Sequence, residues 1–299
     1  MQILITGASG FLGETLTNRL IRAGHSIVVI GRSDLGKQDR DDCSYVQADI
    51  TAIETLRGVH KAFPSIDAIV HLAALVPKNK DEDQALPMFE TNTKGTINLL
   101  DVFGKTLKNF VYASTAEVYG LPITDKPIIE DALLKPLSYY GASKLAGELF
   151  CSVYAERNSL PISILRFTVL YGPGDNINRA VPNFIKKALA GDNLDIYGGE
   201  ELRDYLHVTD AAEALYLAVT KSPNGIFNIG TGKGISIKDT AGSIIQSVNP
   251  RLSMNILARE KSASDIVLNV DKATRKMKFK PAHVFPDLIE EQIEWHRLN

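Results

Sequence analysis

The chain has 299 residues, 44% of them hydrophobic and 23% charged, with a formal net charge of −2. This composition is typical of a globular protein, and the length predicts one large domain or two that share a core. The near-neutral charge argues against nucleic acid or acidic membranes as partners, and without an apolar run of about 18 residues or a basic leader we expect a cytoplasmic protein with no membrane segment.

The first strand and the turn after it follow a phosphate-binding pattern. Residues 2–6 form an apolar run, as expected of a strand buried on both faces of a parallel sheet. Gly7, Gly10 and Gly13 follow at the spacing Gly-x-x-Gly-x-x-Gly, and Leu12 opens a helical pattern. Such glycines permit a tight turn and a close approach to a pyrophosphate, which a helix N-terminus favours. The pattern predicts a dinucleotide site, although a glycine-rich turn without a ligand has the same spacing.

The end of the second strand bears on the choice of cofactor. This strand, residues 26–30, is followed by Gly31-Arg32-Ser33, where NAD-binding chains usually carry an acidic residue for the ribose 2′-hydroxyl. Arg32 can instead pair with a 2′-phosphate, which favours NADP somewhat over NAD. The choice stays open, because Arg32 can also be solvated or stack on the adenine ring, and Asp34 lies close by in the sequence.

Two further strands end in residues that we expect to line the same site. Residues 45–48 and 68–72 are predicted strands, and they lead into Asp49-Ile50 and Ala73-Ala74. Strands that alternate with helical stretches predict an α/β fold with a doubly wound parallel sheet, the Rossmann fold. Its ligand crevice lies at the carboxyl ends of the strands, so Asp49 and the Ala73-Ala74 turn are predicted to line the cofactor site.

Three residues with reactive side chains are expected to take no part in chemistry. His71, inside the fourth strand, is expected to be a hydrogen-bonded histidine near the core. Cys43 and Cys151 lie far apart, without the spacing of metal ligands or of a disulfide framework. We expect both thiols to be reduced, and no metal site is predicted.

A hydroxyl and a tyrosine–lysine pair are the candidates for proton transfer. A strand at residues 109–113 leads into Ser114-Thr115, and a helix begins near Tyr140. Tyr140 and Lys144 are four residues apart and therefore share one face of that helix, as do many pairs on solvated helices. Because a neighbouring cation favours the phenolate, we expect Lys144 to lower the pKa of Tyr140. Thr115 can hydrogen-bond a sugar or ketone oxygen, or its hydroxyl only satisfies the turn backbone.

The second half of the chain predicts a smaller lobe that binds substrate. A sixth strand at residues 163–167 is followed by a segment rich in glycine and proline, residues 171–175. We therefore predict a dinucleotide-binding domain of residues 1–168 with about 204–232, and a substrate-binding lobe of about 169–203 with 233–299. The other predicted elements are helices at 87–103, 181–190 and 288–295 and strands at 194–197 and near 228–229.

Together these motifs resemble the extended short-chain dehydrogenase/reductase superfamily, specifically its nucleotide-sugar epimerase/dehydratase branch. The resemblance runs over nearly the whole chain, and it rests on several motifs in the same order and at the same separations. They are residues 6–13, Asp49-Ile50, residues 71–74, Asn92 with Gly95-Thr96, Ser114-Thr115 with Val118-Tyr119-Gly120, Tyr140 with Lys144, and Arg203-Asp204-Tyr205 with Asp210.

The resemblance implies a role for each of the matching residues. Thr115, Tyr140 and Lys144 would form a catalytic triad, in which Lys144 also holds the nicotinamide ribose. Glu117 would bind substrate. Arg203 would bind the diphosphate, or it only pairs with Asp204. Arg259 or Lys261 would serve as a second phosphate ligand. The implied cofactor-binding residues are Gly7, Gly10, Phe11, Leu12, Gly13, Arg32, Asp49, Ile50, Leu72, Ala73, Ala74, Asn92, Tyr140 and Lys144.

Three departures from the family pattern limit the implied chemistry. Residues 259–265, where the pattern has a second phosphate-binding arginine, do not align cleanly with it. Val169 stands where many relatives have an asparagine, which removes one polar contact to substrate. Ala116 replaces the aspartate that follows the catalytic threonine in relatives that dehydrate, whereas Glu117 remains. The sequence therefore disfavours 4,6-dehydration.

The predicted reaction is hydride exchange between C4 of a nucleotide-linked hexose and the nicotinamide. An epimerase would return the hydride to the other face of the sugar, whereas a 4-ketoreductase would reduce a ketosugar with NADPH and release NADP. Both outcomes stay open, and a non-catalytic NADP-binding module is a third reading that the Thr115, Tyr140 and Lys144 set argues against. The resemblance also implies a homodimer that forms through helices near residues 87–103 and 140–157.

Overall fold

A computed structural model describes residues 1–32, 42–122, 126–259 and 264–299, and the strands of these residues form three sheets. The strands are β1 (Gln2–Thr6), β2 (Ser26–Gly31), β3 (Cys43–Gln47), β4 (Ala68–His71), β5 (Asn109–Thr115), β6 (Ile162–Phe167), β7 (Val169–Tyr171), β8 (Leu194–Tyr197), β9 (Leu202–His207), β10 (Gly225–Ile229), β11 (Gly234–Ser236) and β12 (Met254–Leu257).

The helices alternate with the strands through most of the chain. They are α1 (Phe11–Arg22), α2 (Ile53–Ala62), α3 (Ala85–Met88), α4 (Gly95–Phe103), α5 (Tyr139–Asn158), α6 (Ala180–Ala190), α7 (Val208–Lys221), α8 (Ile237–Val248), α9 (Asp271–Met277) and α10 (Ile289–Leu298). The predicted helix at 87–103 begins earlier, at Ala85, and contains a π-helical turn, Phe89–Lys94, between α3 and α4. Within the described residues, no helix combines the length and the apolarity that a membrane span requires.

The large sheet confirms the predicted doubly wound fold. Its seven strands run parallel in the order β10-β6-β5-β4-β1-β2-β3. Helices cover both faces of the sheet. Because alternate residues of one strand point to opposite faces, each strand contributes to both helix layers. In β1, Ile3 and Ile5 pack with α1 and α7, whereas Leu4 packs with residues of α2 and α4. Strand order reverses between β1 and β4, so their carboxyl ends flank the crevice where such sheets bind ligands.

The smaller lobe is built from short strands and has its own core. Two small sheets, β11-β9-β7 and β12-β8, lie with α6, α8 and α10 around Tyr171, Phe184, Ile196 and Phe285. The division of the chain into two domains stays a prediction. Helix α9 lies within residues 233–299, which were predicted to belong to the substrate-binding lobe. Its residues Ala273 and Met277 pack instead in the core of the large sheet.

Candidate active site

The glycine turn lies at the point where strand order reverses. Gly7 has φ +74°, and a Cβ built on it would lie 2.7 Å from Ala73 N, at the end of β4. A Cβ on Gly13 would overlap Gly7 O, so this position also requires glycine. Gly10 is the N-cap residue of α1, and α1 begins without a side-chain cap. The exposed backbone N–H groups of that first turn suit a pyrophosphate, so the residues present fit a dinucleotide.

His71 belongs to an unbroken chain of hydrogen bonds below this turn. Its Nδ1 is 2.7 Å from Thr6 Oγ1, and its Nε2 is 3.0 Å from Thr96 Oγ1. The Thr96 hydroxyl donates to Asn92 O, so it accepts from Nε2–H, which leaves Nδ1 to accept the Thr6 proton. Burial lowers the pKa of His71 well below its usual value, and the charge of Lys144 lowers it further. The imidazole is therefore neutral and structural, which confirms the prediction for His71.

Arg32 directly follows the last residue of β2. Its side chain is exposed, and its backbone oxygen accepts a hydrogen bond of 3.0 Å from Gln47 Nε2. Gly31, the last residue of β2, has no side chain, and Ser33 and Asp34 lie outside the described residues. The prediction that Arg32 meets a 2′-phosphate stays a prediction.

Asp49 and Ile50 shape the turn after β3. Asp49 Oδ1 accepts hydrogen bonds from Thr51 N at 2.8 Å and from Thr51 Oγ1 at 2.9 Å. Ile50 is buried, and its side chain occupies the space that a Cβ on Gly95 would need. These contacts fix the turn, while the predicted cofactor contact of Asp49 remains a prediction.

Asn92 holds the wall of the crevice together. Its Oδ1 accepts from Leu75 N at 2.7 Å, and its Nδ2 donates to Leu75 O and to Ser143 Oγ, both at 3.0 Å. Asn92 is fully buried, so its side chain has no surface that a ligand can touch. The structure therefore favours an indirect role, in which Asn92 fixes the segment after Ala74 against α5.

The end of β5 meets the start of α5 through Glu117. Thr115 Oγ1 accepts a hydrogen bond of 3.2 Å from Glu117 N, and its hydroxyl can still donate to a ligand. On the other side, Ser138 Oγ donates to Glu117 Oε2 at 2.7 Å, and a Cβ on Gly141 would lie 3.1 Å from Glu117 O. The structure thus brings Thr115 and the first turn of α5, which carries Tyr140, to the same short segment.

Tyr140 is less acidic in this structure than the sequence predicted. Burial raises its pKa far above the usual value, the nearby Glu117 carboxylate raises it further, and the cation that opposes this is Arg179. Lys144 is not among the groups that shift the pKa of Tyr140. The prediction that Lys144 lowers the pKa of Tyr140 is therefore wrong for the chain on its own, because burial raises this pKa and the opposing cation is Arg179 rather than Lys144.

Lys144 is buried beneath Tyr140 and lies against an aromatic ring. Its Nζ is 4.1 Å from the centroid of the Tyr112 ring, an arrangement that stabilises a desolvated cation. Burial lowers its pKa from 10.5 to about 7, against the opposing influence of Cys151 and Glu148. Lys144 therefore exchanges between its charged and neutral forms near neutral pH.

The sequence analysis did not predict the buried ion pair between Arg166 and Glu148. Arg166 in β6 donates to both carboxylate oxygens of Glu148 in α5, at 2.6 Å from Nη2 to Oε2, and both side chains are buried. Ser114 Oγ also donates to Glu148, and Arg166 Nη1 donates to Tyr119 Oη at 2.9 Å. Tyr119 in turn donates to Asn228 in β10. This network joins three strands of the large sheet to α5.

Arg179 is a second residue near the site that the sequence analysis missed. Its Nη2 lies 3.0 Å from the buried carboxylate of Asp175 and donates to Leu170 O at 2.7 Å. Its charge lowers the pKa of both Tyr140 and Glu117 against the effect of burial. The spacing of four residues between Asp175 and Arg179 was visible, but the approach of the smaller lobe to α5 was not.

The two predicted phosphate ligands lie around one carboxylate in the smaller lobe. Arg203 Nη1 donates to Ser264 O at 2.8 Å, and Arg259 forms an ion pair with Glu201. Burial raises the pKa of Glu201, but backbone hydrogen bonds and the charges of Arg259 and Arg203 lower it overall. The structure thus places the two arginines near each other, whereas Lys261 lies outside the described residues.

The alternative pairing of Arg203 with Asp204 is wrong. Adjacent strand residues point to opposite faces, and the Asp204 carboxylate accepts instead from Thr231 N at 2.9 Å and from Gly232 N at 3.1 Å. Val169, which replaces an expected asparagine, packs on the core of the smaller lobe. The Arg203 guanidinium is therefore not held by Asp204; its Nη1 donates to Leu202 O and Ser264 O instead.

Comparison with known proteins agrees with this geometry. Residues 3–230 match the model of the NAD-dependent epimerase/dehydratase family. The chain belongs to this family, and it is an enzyme of the nucleotide-sugar epimerase/dehydratase class. The prediction made from the sequence motifs is confirmed at this level.

Individual relatives cover the whole chain. A UDP-N-acetyl-α-D-glucosaminuronate decarboxylase of Bacillus cytotoxicus is 30% identical and aligns with 98% of this chain and 97% of its own length. The UDP-glucose 4-epimerase of Thermotoga maritima, solved with UDP-glucose, superposes with a TM-score of 0.89 at 26% identity and covers 100% of this chain and 99% of its own. A UDP-glucuronic acid 4-epimerase of Bacillus cereus, solved with UDP-glucuronic acid and NAD, gives 0.87 at 27% identity and covers both chains completely.

Proposed function

We propose that this enzyme epimerises a nucleotide-linked hexose at C4, with hydride transfer to and from a nicotinamide and with Thr115, Tyr140 and Lys144 as its catalytic residues. One observation carries the proposal: Thr115 at the end of β5 and the first turn of α5, which carries Tyr140, both contact Glu117. The solved 4-epimerases that superpose on the whole chain support it.

The protonation states of the site suggest how its residues divide the work. Tyr140 would take the proton of the C4 hydroxyl, and Thr115 would donate a hydrogen bond to the same oxygen. When bound, NAD or NADP supplies the hydride acceptor and a positive charge. Since the pKa of Tyr140 is raised in the chain alone, Tyr140 depends on added positive charge to lose its proton. Lys144 would contribute once its ammonium turns from the Tyr112 ring toward the crevice.

Substrate would lie between the crevice and the smaller lobe. Arg203 and Arg259 present planar forks of donors that suit a diphosphate. Ala116 offers no acid next to Thr115 for the loss of water, so the proposal disfavours 4,6-dehydration.

A 4-ketoreductase is the second candidate, and one observation favours it. The side chain of Arg32 is exposed at the end of β2, and β2 ends in a glycine, Gly31, rather than a carboxylate. This arrangement suits the 2′-phosphate of NADPH, which a reductase would use once and release. Nicotinamide that stays bound through purification would support the epimerase, whereas a freely exchanging cofactor with preference for NADPH would support the reductase.

The test of the proposed function is turnover of UDP- and dTDP-linked hexoses by the parent and by Tyr140→Phe. We expect Tyr140→Phe to lose at least about a hundredfold in kcat while it still binds cofactor, because only the proton carrier is removed. Tyr139→Phe is the matched control, since Tyr139 is 54% exposed and has no assigned role. If the parent binds cofactor but transfers no hydride with any of these sugars, the protein is a binding module and the proposal fails.

We also propose that the protein is a homodimer. Exposed apolar side chains follow the neighbouring helices α3 and α5 and the π-helical turn, namely Leu86, Phe89, Leu149, Phe150 and Val153. Apolar surface of this kind suits a contact between copies of the chain. Sedimentation at micromolar concentration is expected to give a dimer for the parent and a monomer for Phe150→Glu. Leu298→Glu, at the exposed end of α10, is expected to stay dimeric.

A further inference from the structure

The first turn of α5 is held from outside the helix. Helices begin with backbone N–H groups that have no partner within the helix. Here Ser138 Oγ accepts from Gly141 N at 3.0 Å, as an ordinary N-cap does. The N–H groups of Tyr139 and Tyr140 donate instead to the carboxylate of Asp83, at 3.0 and 2.8 Å.

Asp83 comes from a segment that also forms the wall of the crevice. This segment begins at Leu75, which Asn92 fixes through two hydrogen bonds, and Asn92 also binds Ser143 of α5. It runs on through a short 3-10 helix, Lys80–Glu82, to Asp83. The segment is therefore attached to α5 at both ends, through Asn92 at one end and through Asp83 at the other.

We propose that Asp83 is a positioning residue for Tyr140, an inference that rests on the proposed function. The two oxygens of its carboxylate fix the backbone of Tyr139 and Tyr140, and so fix where the phenol stands above the crevice. A carboxylate suits this place, because a helix N-terminus favours negative charge. Asp83 touches neither substrate nor cofactor in this role.

Asp83 also faces the other acidic group of the site. Burial raises the pKa of Glu117, and the charge of Asp83 raises it further. Glu117 accepts from Ser138, so Asp83 and Glu117 support the same turn of α5 from two sides. A substitution of Asp83 would therefore remove the hydrogen bond to the backbone of Tyr140 and would also change the pKa of Glu117.

The test compares Asp83→Ala with Asp81→Ala in the full chain. Asp81 lies two residues earlier and is exposed, and in the described structure its carboxylate accepts no hydrogen bond from α5. Asp83→Ala is expected to lower kcat about tenfold to a hundredfold, since small misplacements of a reacting group cost this much, while the Kd for cofactor stays within about twofold. Asp83→Asn keeps one acceptor oxygen and is expected to fall between Asp83→Ala and the parent.

Amide hydrogen exchange of Tyr139 and Tyr140 supplies a readout that does not depend on turnover. We expect faster exchange at both amides in Asp83→Ala and parent-like exchange in Asp81→Ala. A cap with a purely structural role would speed exchange and lower the melting temperature, yet leave kcat at 25 °C unchanged; that result, or an equal loss of kcat in Asp81→Ala, overturns the proposal. If the parent turns over no nucleotide sugar, the proposed function fails, and the exchange rates alone then decide whether Asp83 holds the turn.

Discussion

The first turn and the middle of α5 are held by opposite means. In the first turn, Tyr140 N donates to Asp83 and Gly141 N donates to Ser138, and both acceptor residues are partly exposed. Two turns later, in the middle of the helix, Glu148 is buried and accepts charged hydrogen bonds from Arg166. One helix therefore has a partly exposed first turn and a buried, charge-paired middle.

The difference agrees with the proposed function. In that proposal the phenol of Tyr140 meets ligands that come and go, so its turn would lie at the surface of the crevice, and each partly exposed cap contributes little. The buried pair lies where charge is costly, so each partner depends strongly on the other. We therefore expect changes in the buried pair to act on stability, and changes in the first turn to act mainly on activity.

The largest expected effect is on the buried pair. Arg166→Met leaves the Glu148 carboxylate buried without its partner, and we expect the free energy of unfolding to fall by about 3–5 kcal/mol in urea denaturation. Arg19→Met is the control, because Arg19 pairs with the more exposed Glu213 at 2.7 Å and its loss is expected to cost less than about 1 kcal/mol. The double variant Glu148→Leu, Arg166→Met is expected to regain most of the loss. If Arg166→Met and Arg19→Met lost equal free energy of unfolding, the buried pair of Arg166 and Glu148 would be no more important for stability than an exposed pair.

A smaller effect, of opposite sign, is expected at Lys144. Its pKa is lowered from 10.5 to about 7 in the fold, so the unfolded chain binds a proton that the folded chain has lost, and stability is expected to rise with pH above about 7. Lys144→Met removes this dependence and, although inactive, is expected to be more stable than the parent at pH 6, by a margin that shrinks by about 3 kcal/mol between pH 6 and pH 9.

Unfolding measured at intervals from pH 6 to pH 9 tests this sign. The difference between Lys144→Met and the parent is expected to shrink as pH rises. Lys94→Met, at an exposed ion pair with Glu90, is expected to show a difference that stays small at every pH. If Lys144→Met exceeds the parent in stability by the same margin at pH 9 as at pH 6, then Lys144 keeps its proton in the folded state and the prediction is wrong.

The smallest expected effect belongs to the exposed cap. Ser138→Ala removes the acceptor for Gly141 N, and we expect a loss of about 1 kcal/mol in unfolding free energy. Ser152→Ala in the same helix removes only a hydrogen bond back to Glu148 O, and is expected to be close to neutral because alanine is the better helix former. If Ser152→Ala costs as much as Ser138→Ala, the cap has no special value.

Features set by local sequence were predicted well. Apolar runs such as residues 2–6 and 162–167 become buried strands, because a parallel sheet buries both faces of a strand. The glycine spacing after β1 predicted a tight turn, and the structure shows one in which side chains added at Gly7 and Gly13 would collide with Ala73 and Gly7. The strands β7, β9, β11 and β12 were not predicted, and β7 and β11 have only three residues each, too few to show a pattern.

Features set by tertiary contacts were not predictable in this way. Asp83 lies 57 residues before Tyr140, and neither local sequence indicates that the two residues form a hydrogen bond. The four-residue spacing placed Tyr140 and Lys144 on one face, but the direction of the Lys144 side chain depends on Tyr112 and Glu148 around it. The predicted effect on the pKa of Tyr140 was wrong for this reason.

The outermost strand of the large sheet, β10, has a further consequence. The chain leaves this sheet after β6, builds β7, α6 and β8 of the smaller lobe, and returns through β9 and α7 to add β10 beside β6. Neither unit is continuous along the polypeptide, so no single cut releases one of them whole. A chimera that exchanges substrate preference with a relative would need at least two junctions, and a ribosome must deliver residue 229 before β6 has both of its neighbours.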